Sequence, residues 1–393
     1  MRDTNSHTAT VSRPLVWLFA CAAALSVANV YYAQPLLDTL AQEFGMRPSS
    51  SGMVITATQA GCALALLLVV PLGDMLNRRR LTLLQLGLLG ISLAALACAT
   101  STAALLAGML LVGLLGTAMT QGLIAYAASV APSHERGRVV GTAQGGVVIG
   151  LLLARTLSGV VTDLAGWRAV YLLSAGLSLA LLLLLWRMLP PPLAPARKLS
   201  YGALLASMLE LLKTNRVLQV RGVLALLLFA AFSIFWSALV FPLAAQGYSH
   251  AAVGAFGLVG VVGALGAARA GAMADRGRAQ WTTGAALLLL LASWLPLAFA
   301  GSALWPLILG IVALDLAGQA IHVTNQSLIF KHDSDAHSRL VACYMLFYAV
   351  GSGLGAIAAT SVYALAGWHG VCALGAAVSL MALLFWRLTL PSN

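Results

Sequence analysis

Apolar stretches long enough to cross a bilayer recur twelve times along this 393-residue chain, separated by short polar connections. A helix needs about 20 apolar residues to cross the hydrocarbon. The pattern predicts spans at 14–36, 51–72, 81–100, 103–130, 139–162, 168–189, 217–245, 251–270, 281–300, 303–330, 340–365 and 368–388. Runs such as Leu64–Leu72 and Leu177–Leu185 show no alternation of polar and apolar positions. Strands of a transmembrane barrel require that alternation, so the spans are helices. Composition agrees: 61% of residues are hydrophobic and 8% are charged, against about a quarter charged in soluble domains. The expectation is an all-α polytopic membrane protein.

Charge then orients the chain. Seventeen of the 22 Lys and Arg residues fall in 1–13, 73–80, 131–138, 187–216, 275–278, 331–339 and 387–393. The opposite connections hold Arg47 and Arg168. By the positive-inside rule both termini are expected in the cytoplasm. The net charge of +11 is therefore mainly a topology signal, and no nucleic-acid motif accompanies it. The first apolar segment lacks a small-residue cleavage site and reads as a retained helix rather than a signal peptide. Cys21, Cys62, Cys98, Cys343 and Cys372 lie singly inside spans, with neither disulfide nor metal spacing. No nucleophile elbow or phosphate loop occurs, so the expectation is a protein that is not an enzyme and uses no cofactor or metal.

The chain also repeats itself. Gly166-Trp167-Arg168-Ala169-Val170 is echoed by Gly367-Trp368-His369-Gly370-Val371 at a shift of 201. His134 to Arg138 corresponds to Asp335 to Arg339 at the same shift, and Gly73 to Gly271 at 198. Residues 1–189 and 217–393 are thus expected to be duplicated six-helix halves. They are joined by 190–216, which opens on Pro190-Pro191-Pro192 and so interrupts the helix. Two parallel halves around a central cavity suit alternating access.

Gly73-Asp74-Met75-Leu76-Asn77-Arg78-Arg79-Arg80, and its cleaner copy Gly271-Ala272-Met273-Ala274-Asp275-Arg276-Gly277-Arg278, resemble the loop motif of the major facilitator superfamily. The resemblance covers essentially the whole chain. It implies a multi-pass secondary transporter whose loop residues Gly73, Asp74, Arg78, Gly271, Asp275 and Arg276 help lock the cytoplasmic side. Ala28-Asn29-Val30-Tyr31-Tyr32-Ala33-Gln34-Pro35, followed by Phe44-Gly45, is similar to bacterial arabinose-efflux and drug:proton antiporter permeases. That likeness implies a monomer in the bacterial inner membrane exporting small organic molecules, with proton exchange as the drive. Two positions depart from it. Span 4 lacks the arginine often found there, and Arg155 stands where antiporters often carry a proline in span 5.

Buried polarity supplies the candidate chemistry. An ionisable group in hydrocarbon costs about 2.5–3.5 kcal/mol on insertion scales unless it meets a partner or a wet cavity. Asp315 is the one acidic residue deep in a span. It is a candidate proton carrier, a partner for Arg155, or a substrate contact. Arg155 can pair with Asp315, bind an anionic substrate group, or snorkel outward. Gln319 and His322 follow Asp315 on one helical stripe. Asn29 and Tyr32, three residues apart, share a face of span 1. Gln121, Tyr126, Trp236 and Asn325 are further polar or aromatic residues deep in spans. Spans 1, 4, 7 and 10 line the cavity in the resembled family, which favours Asn29, Gln121, Tyr126, Trp236 and Asp315 as cavity residues. Gly254, Gly257, Gly260, Gly263 and Gly266 recur every third residue in span 8, a stripe that lets another helix approach closely. Uptake of a small metabolite is the competing transport reading, and a membrane sensor or scaffold the non-transport one.

Overall fold

The computed structural model describes residues 11–390 apart from Ser133, 191–199, 301–302 and 331–336. The helices are α1 (Arg13–Tyr31), α2 (Leu37–Glu43), α3 (Met53–Leu64), α4 (Arg78–Ala97), α5 (Thr102–Val130), α6 (Arg136–Ala165), α7 (Trp167–Met188), α8 (Tyr201–Thr214), α9 (Arg216–Ala238), α10 (Val240–Ala245), α11 (His250–Ala255), α12 (Val261–Met273), α13 (Ala279–Ala298), α14 (Leu304–Phe330) and α15 (His337–Leu388). Among the described residues they supply ten helical segments long and apolar enough to cross a membrane, and a shorter apolar one over His250–Gly263. The protein is an all-α, multi-pass membrane protein.

Local chemistry sets the helix ends. Ser101, Ser200, Asn215 and Ser249 each accept a backbone N–H through the side chain at an N-terminus, which satisfies a donor the helix leaves free. Asn77, which stands where the resembled loop motif has an acid, does the same for Arg80 at 3.1 Å. Gly166 and Gly367 take positive φ of 81° and 61°. A β-carbon disfavours that conformation. The two matched Gly-Trp sequences are therefore two matched helix-to-helix breaks, and the second divides α15. After each, the indole donates back across the same end of the bundle, Trp167 to Glu43 Oε2 at 2.5 Å and Trp368 to the Leu297 carbonyl at 2.8 Å.

The outer surface is apolar. Ile91, Leu164, Leu172, Leu179, Leu183, Leu295 and Leu365 are all exposed, as expected when lipid is the solvent. Trp17, Trp186, Trp281 and Trp305 are exposed too, and each lies within a few residues of a helix end. Tryptophan prefers that interfacial depth.

One end of the bundle carries the linker and the basic loops. There Arg78 ties α3's continuation to α5, donating to the carbonyls of Gly73 (2.9 Å) and Ala125 (2.7 Å). Arg79 donates to the Trp186 carbonyl at 2.6 Å. The Asp74 and Asp275 side chains lie outside the described set. Gly271 sits under Val323, while Arg276 is exposed in the turn with Gly277. Residues 191–199 of the expected linker and the Asp335–Ala336 part of the matched loop fall outside the described residues.

At the far end the two parts of the chain meet backbone to backbone. Thr56 donates to the Gly353 carbonyl at 2.7 Å, and Thr360 to Ser49 at 3.2 Å. A β-carbon on Gly159 would strike the His250 carbonyl there, and, deeper in the bundle, one on Gly254 would strike the Arg155 carbonyl. This is the work of the predicted glycine stripe, which seats α11 and the residues after it against α6. Arg221, in the first turns of α9, is buried and donates to Thr283 (3.2 Å), Asn325 (3.4 Å) and Gln280 (3.0 Å). It ties α9 to α13 and α14, with Gln280 at the exposed edge of the group.

Gly254→Val is expected to force α6 and α11 apart and to destabilise this conformation by about 1–3 kcal/mol, as overpacking does. Gly137→Ala, at an open position, should leave stability unchanged. Thermal unfolding in detergent reads both.

Candidate functional site: a buried charge cluster at mid-bundle

Arg155 is 4% exposed, so it does not snorkel. Its Nε donates to Gln34 Oε1 at 2.6 Å. Its guanidinium lies 4.1 Å from the Trp236 ring centroid and 5.3 Å from that of Tyr31. A desolvated cation on an aromatic face gains about 2 kcal/mol. The Tyr31 hydroxyl contacts that of Tyr348, whose ring lies 4.0 Å from Phe229. The two terminal nitrogens of Arg155 have no hydrogen-bond partner among the described residues.

Asp315 is also 4% exposed. It lies close enough to Arg155 for their charges to attract, although no direct ion pair joins them among the described residues. Both side chains rest on the same glycine stripe. A β-carbon at Gly257 would sit 3.4 Å from Arg155 Cβ and Cδ, and one at Gly260 would sit 2.9 Å from Asp315 Oδ2. Gly263 backs the Asp315 carbonyl at 2.9 Å. The stripe therefore does more than pack helices. It clears the volume that two charged side chains need. The Asp315 Oδ1 and Trp236 Nε1 atoms are buried without a hydrogen-bond partner among the described residues. Buried polar atoms normally have one, so the cluster leaves one acceptor and one donor unused.

The expected site residues divide. Arg155, Trp236 and Asp315 come together. His322 and Asn325 lie further along α14, His322 bonded to Tyr344 at 2.9 Å and edge-on to Phe229, Asn325 bonded to Arg221. Gln121 and Gln319 are half-buried. Asn29 and Tyr32 face α7 instead. Ser174 donates to Asn29 Oδ1 at 2.7 Å, and the Tyr32 ring packs edge-on against Tyr171. Tyr126 donates to the Pro190 carbonyl at 3.1 Å near the linker. The span-1 residues in the cluster are Tyr31, the last residue of α1, and Gln34, in the helical turn Gln34–Leu36 that follows. They share the i, i+3 spacing of Asn29 and Tyr32 but stand two positions on, about 200° round the helix. Both faces carry a polar pair, so spacing alone does not choose between them.

A second polar group was not anticipated. At the far end, His250 sits among Asp38, Thr39 and Asp163. Each is a single polar residue at a span boundary, where polarity is ordinary. Only the packing of α2 and α6 around α11 makes them a cluster.

A polytopic helical bundle with a charged, partly unpartnered cluster at its centre is the architecture of a membrane transporter. Residues 19–335 match the sequence profile of the Major Facilitator Superfamily, and the chain belongs to that family. It is 42% identical over 385 residues to the uncharacterized transporter YgaY of Escherichia coli O157:H7, covering 96% of this chain and 95% of that protein. It is 32% identical to the probable transporter SCO4007 of Streptomyces coelicolor, covering 92% and 84%. A crystal structure of a bacterial homolog of the human lysosomal transporter Spinster, inward-facing and unoccupied, superposes with a TM-score of 0.79. It has 15% identity and covers 96% of this chain and 97% of that one. The protein is a secondary transporter of small molecules across a membrane.

Arg155→Leu is expected to destabilise the protein by roughly 3 kcal/mol, because it leaves a buried carboxylate without its cation. Adding Asp315→Leu should recover part of that loss. A double-mutant cycle on thermal stability measures the coupling.

Proposed function

We propose that this chain is a proton-coupled exporter of small organic molecules in the bacterial inner membrane, similar in working to drug:proton antiporters. It acts as a monomer, with twelve membrane helices in two six-helix halves, 1–189 and 217–393, joined by a cytoplasmic linker. Both termini are cytoplasmic, so the far end is periplasmic. The observation that carries this reading is Asp315, an acid buried at mid-bundle with one oxygen unpartnered and Arg155 as its nearby cation.

The coupling follows from competition. Ionised Asp315 offers Oδ1 to a hydrogen-bond donor on the solute. A proton on the same carboxyl fills that position and ends the attraction to Arg155. Solute and proton therefore occupy the site alternately, as exchange requires, and each biases the two arrangements of the halves by its differential affinity. Trp236, Tyr31 and Tyr348 supply aromatic faces, and Trp236 Nε1 supplies a further hydrogen bond. An uncharged or singly charged amphipathic solute suits this lining.

A second reading rests on the unpartnered terminal nitrogens of Arg155. Their fork matches a carboxylate. An anion there would displace Asp315 from its cation and favour a proton on Asp315, so anion and proton would bind together. That gives uptake by symport instead of export.

Proteoliposomes with an imposed pH gradient decide between them. Pools of sugars, amino acids, organic acids and amphipathic cations are added, and proton and solute fluxes followed. Export predicts proton and solute moving in opposite directions, with Asp315→Asn abolishing the coupled proton flux. Parallel movement confined to the organic acids supports symport. Unchanged proton coupling in Asp315→Asn removes Asp315 from the mechanism in either direction.

A further inference from the structure

The far end of the bundle holds a site that transport through Asp315 does not use. His250 opens α11. Its Nδ1 lies 2.9 Å from Asp163 Oδ1, on the last turns of α6. Its Nε2 lies 2.8 Å from Thr39 Oγ1 and 3.5 Å from Asp38 Oδ1, both on α2. The backbone closes on the same acid, with the N–H groups of His250 and Ala251 donating to Asp163 at 3.1 and 2.8 Å. Asp38 and Asp163 belong to the first part of the chain and His250 to the second. The contact therefore exists only while α11 is seated on α6.

The donor and acceptor count specifies the imidazole's state. A carboxylate only accepts, so Nδ1 must carry a proton. With Nε2 bare, Thr39 could donate to it, but Asp38 Oδ1 would face a lone pair. That oxygen is buried and, among the described residues, has no hydrogen-bond partner other than this ring. A second ring proton turns Nε2 toward Thr39 and Asp38 as a donor. It also places one positive charge between two negative ones. The other elements against α11 bring no further charge to the ring: α10 (Val240–Ala245) and the turns Gln34–Leu36 and Phe256–Gly260 carry none. Ser249 is neutral, and Arg155 meets α11 one turn further on, at Gly254.

We infer that His250, Asp38 and Asp163 form a second proton-binding site, a latch that closes the far end of the transporter when the imidazole is doubly protonated. Hydrogen bonding to Asp38, with Asp163 adding to it, raises the His250 pKa above the ordinary imidazole value against the opposing effect of burial. When α11 leaves α6 both carboxylates are lost, and the pKa falls back toward about 6.5. The proton thus favours the closed form. Its contribution is complete below the open-state value and is lost as pH rises through the closed-state value. Between the two, the closed-to-open ratio falls by at most about tenfold per pH unit.

The test is a distance measurement between spin labels on Ala103 and Leu365, exposed residues on α5 and α15 near the far end, in a cysteine-free full-length protein. Detergent samples span pH 5.5 to 9, so both faces see the same pH. An Asp315→Asn background removes the mid-bundle acid, which keeps failure of this latch distinct from failure of the proposed carrier. The expected result is a short-distance population that gives way to a longer one as pH rises. His250→Gln should abolish that dependence, and Asp163→Asn, which retains the imidazole, should move its midpoint to lower pH. A distribution that does not change with pH overturns the latch. So does an unaltered pH response in either His250→Gln or Asp163→Asn.

Discussion

Two charges buried in a medium that solvates charge poorly set the terms for this structure. Arg155 and Asp315 come from helices far apart in sequence, and each is 4% exposed. Neither is tolerable alone at that depth. Arg155 is held by an amide and two aromatic rings. Asp315 has the field of Arg155 and the open space beside Gly260. The glycine stripe is the structural cost of that arrangement. Any β-carbon at Gly254 would meet the Arg155 carbonyl, and one at Gly260 would crowd the carboxylate. The close seating of α11 on α6 and the charge cluster are therefore one feature.

Dependence on one seated contact also explains how chemistry at mid-bundle reaches the ends. The helices that carry Arg155 and Asp163 are one helix, and His250 and the glycine stripe follow one another in sequence. Movement of α11 away from α6 would expose Arg155, separate it from Trp236 and open the far end at once. A bundle whose interface is built from glycine-to-carbonyl contacts has few intermediate positions, because such contacts are either made or lost. Charge state at the centre and closure at the end are then two readings of one rigid-body step.

The sequence revealed the class of the fold, an all-α polytopic membrane protein, because apolar span length is a strong, local signal. It also singled out Asp315, Arg155 and Trp236, which the fold brings together, since a charge or an indole among leucines stands out in any window. The choice of face on α1 was not legible. Asn29 with Tyr32 and Tyr31 with Gln34 have the same spacing, and only the packing of α7 shows that the first pair is buried against Ser174 and Tyr171. The partners of Arg221 were not legible either: Gln280, Thr283 and Asn325 lie 59 or more residues away. The His250 cluster was invisible because it is assembled from three separate span ends.

Isotope-edited infrared spectroscopy of carboxyl groups tests most directly whether Arg155 and Asp315 share one electrostatic site that takes up a proton. In protein carrying labelled aspartate, a pH titration should show a protonated-carboxyl band that is missing in Asp315→Asn and whose midpoint moves in Arg155→Gln. A band that survives Asp315→Asn, or one whose titration is indifferent to Arg155→Gln, would contradict a shared site.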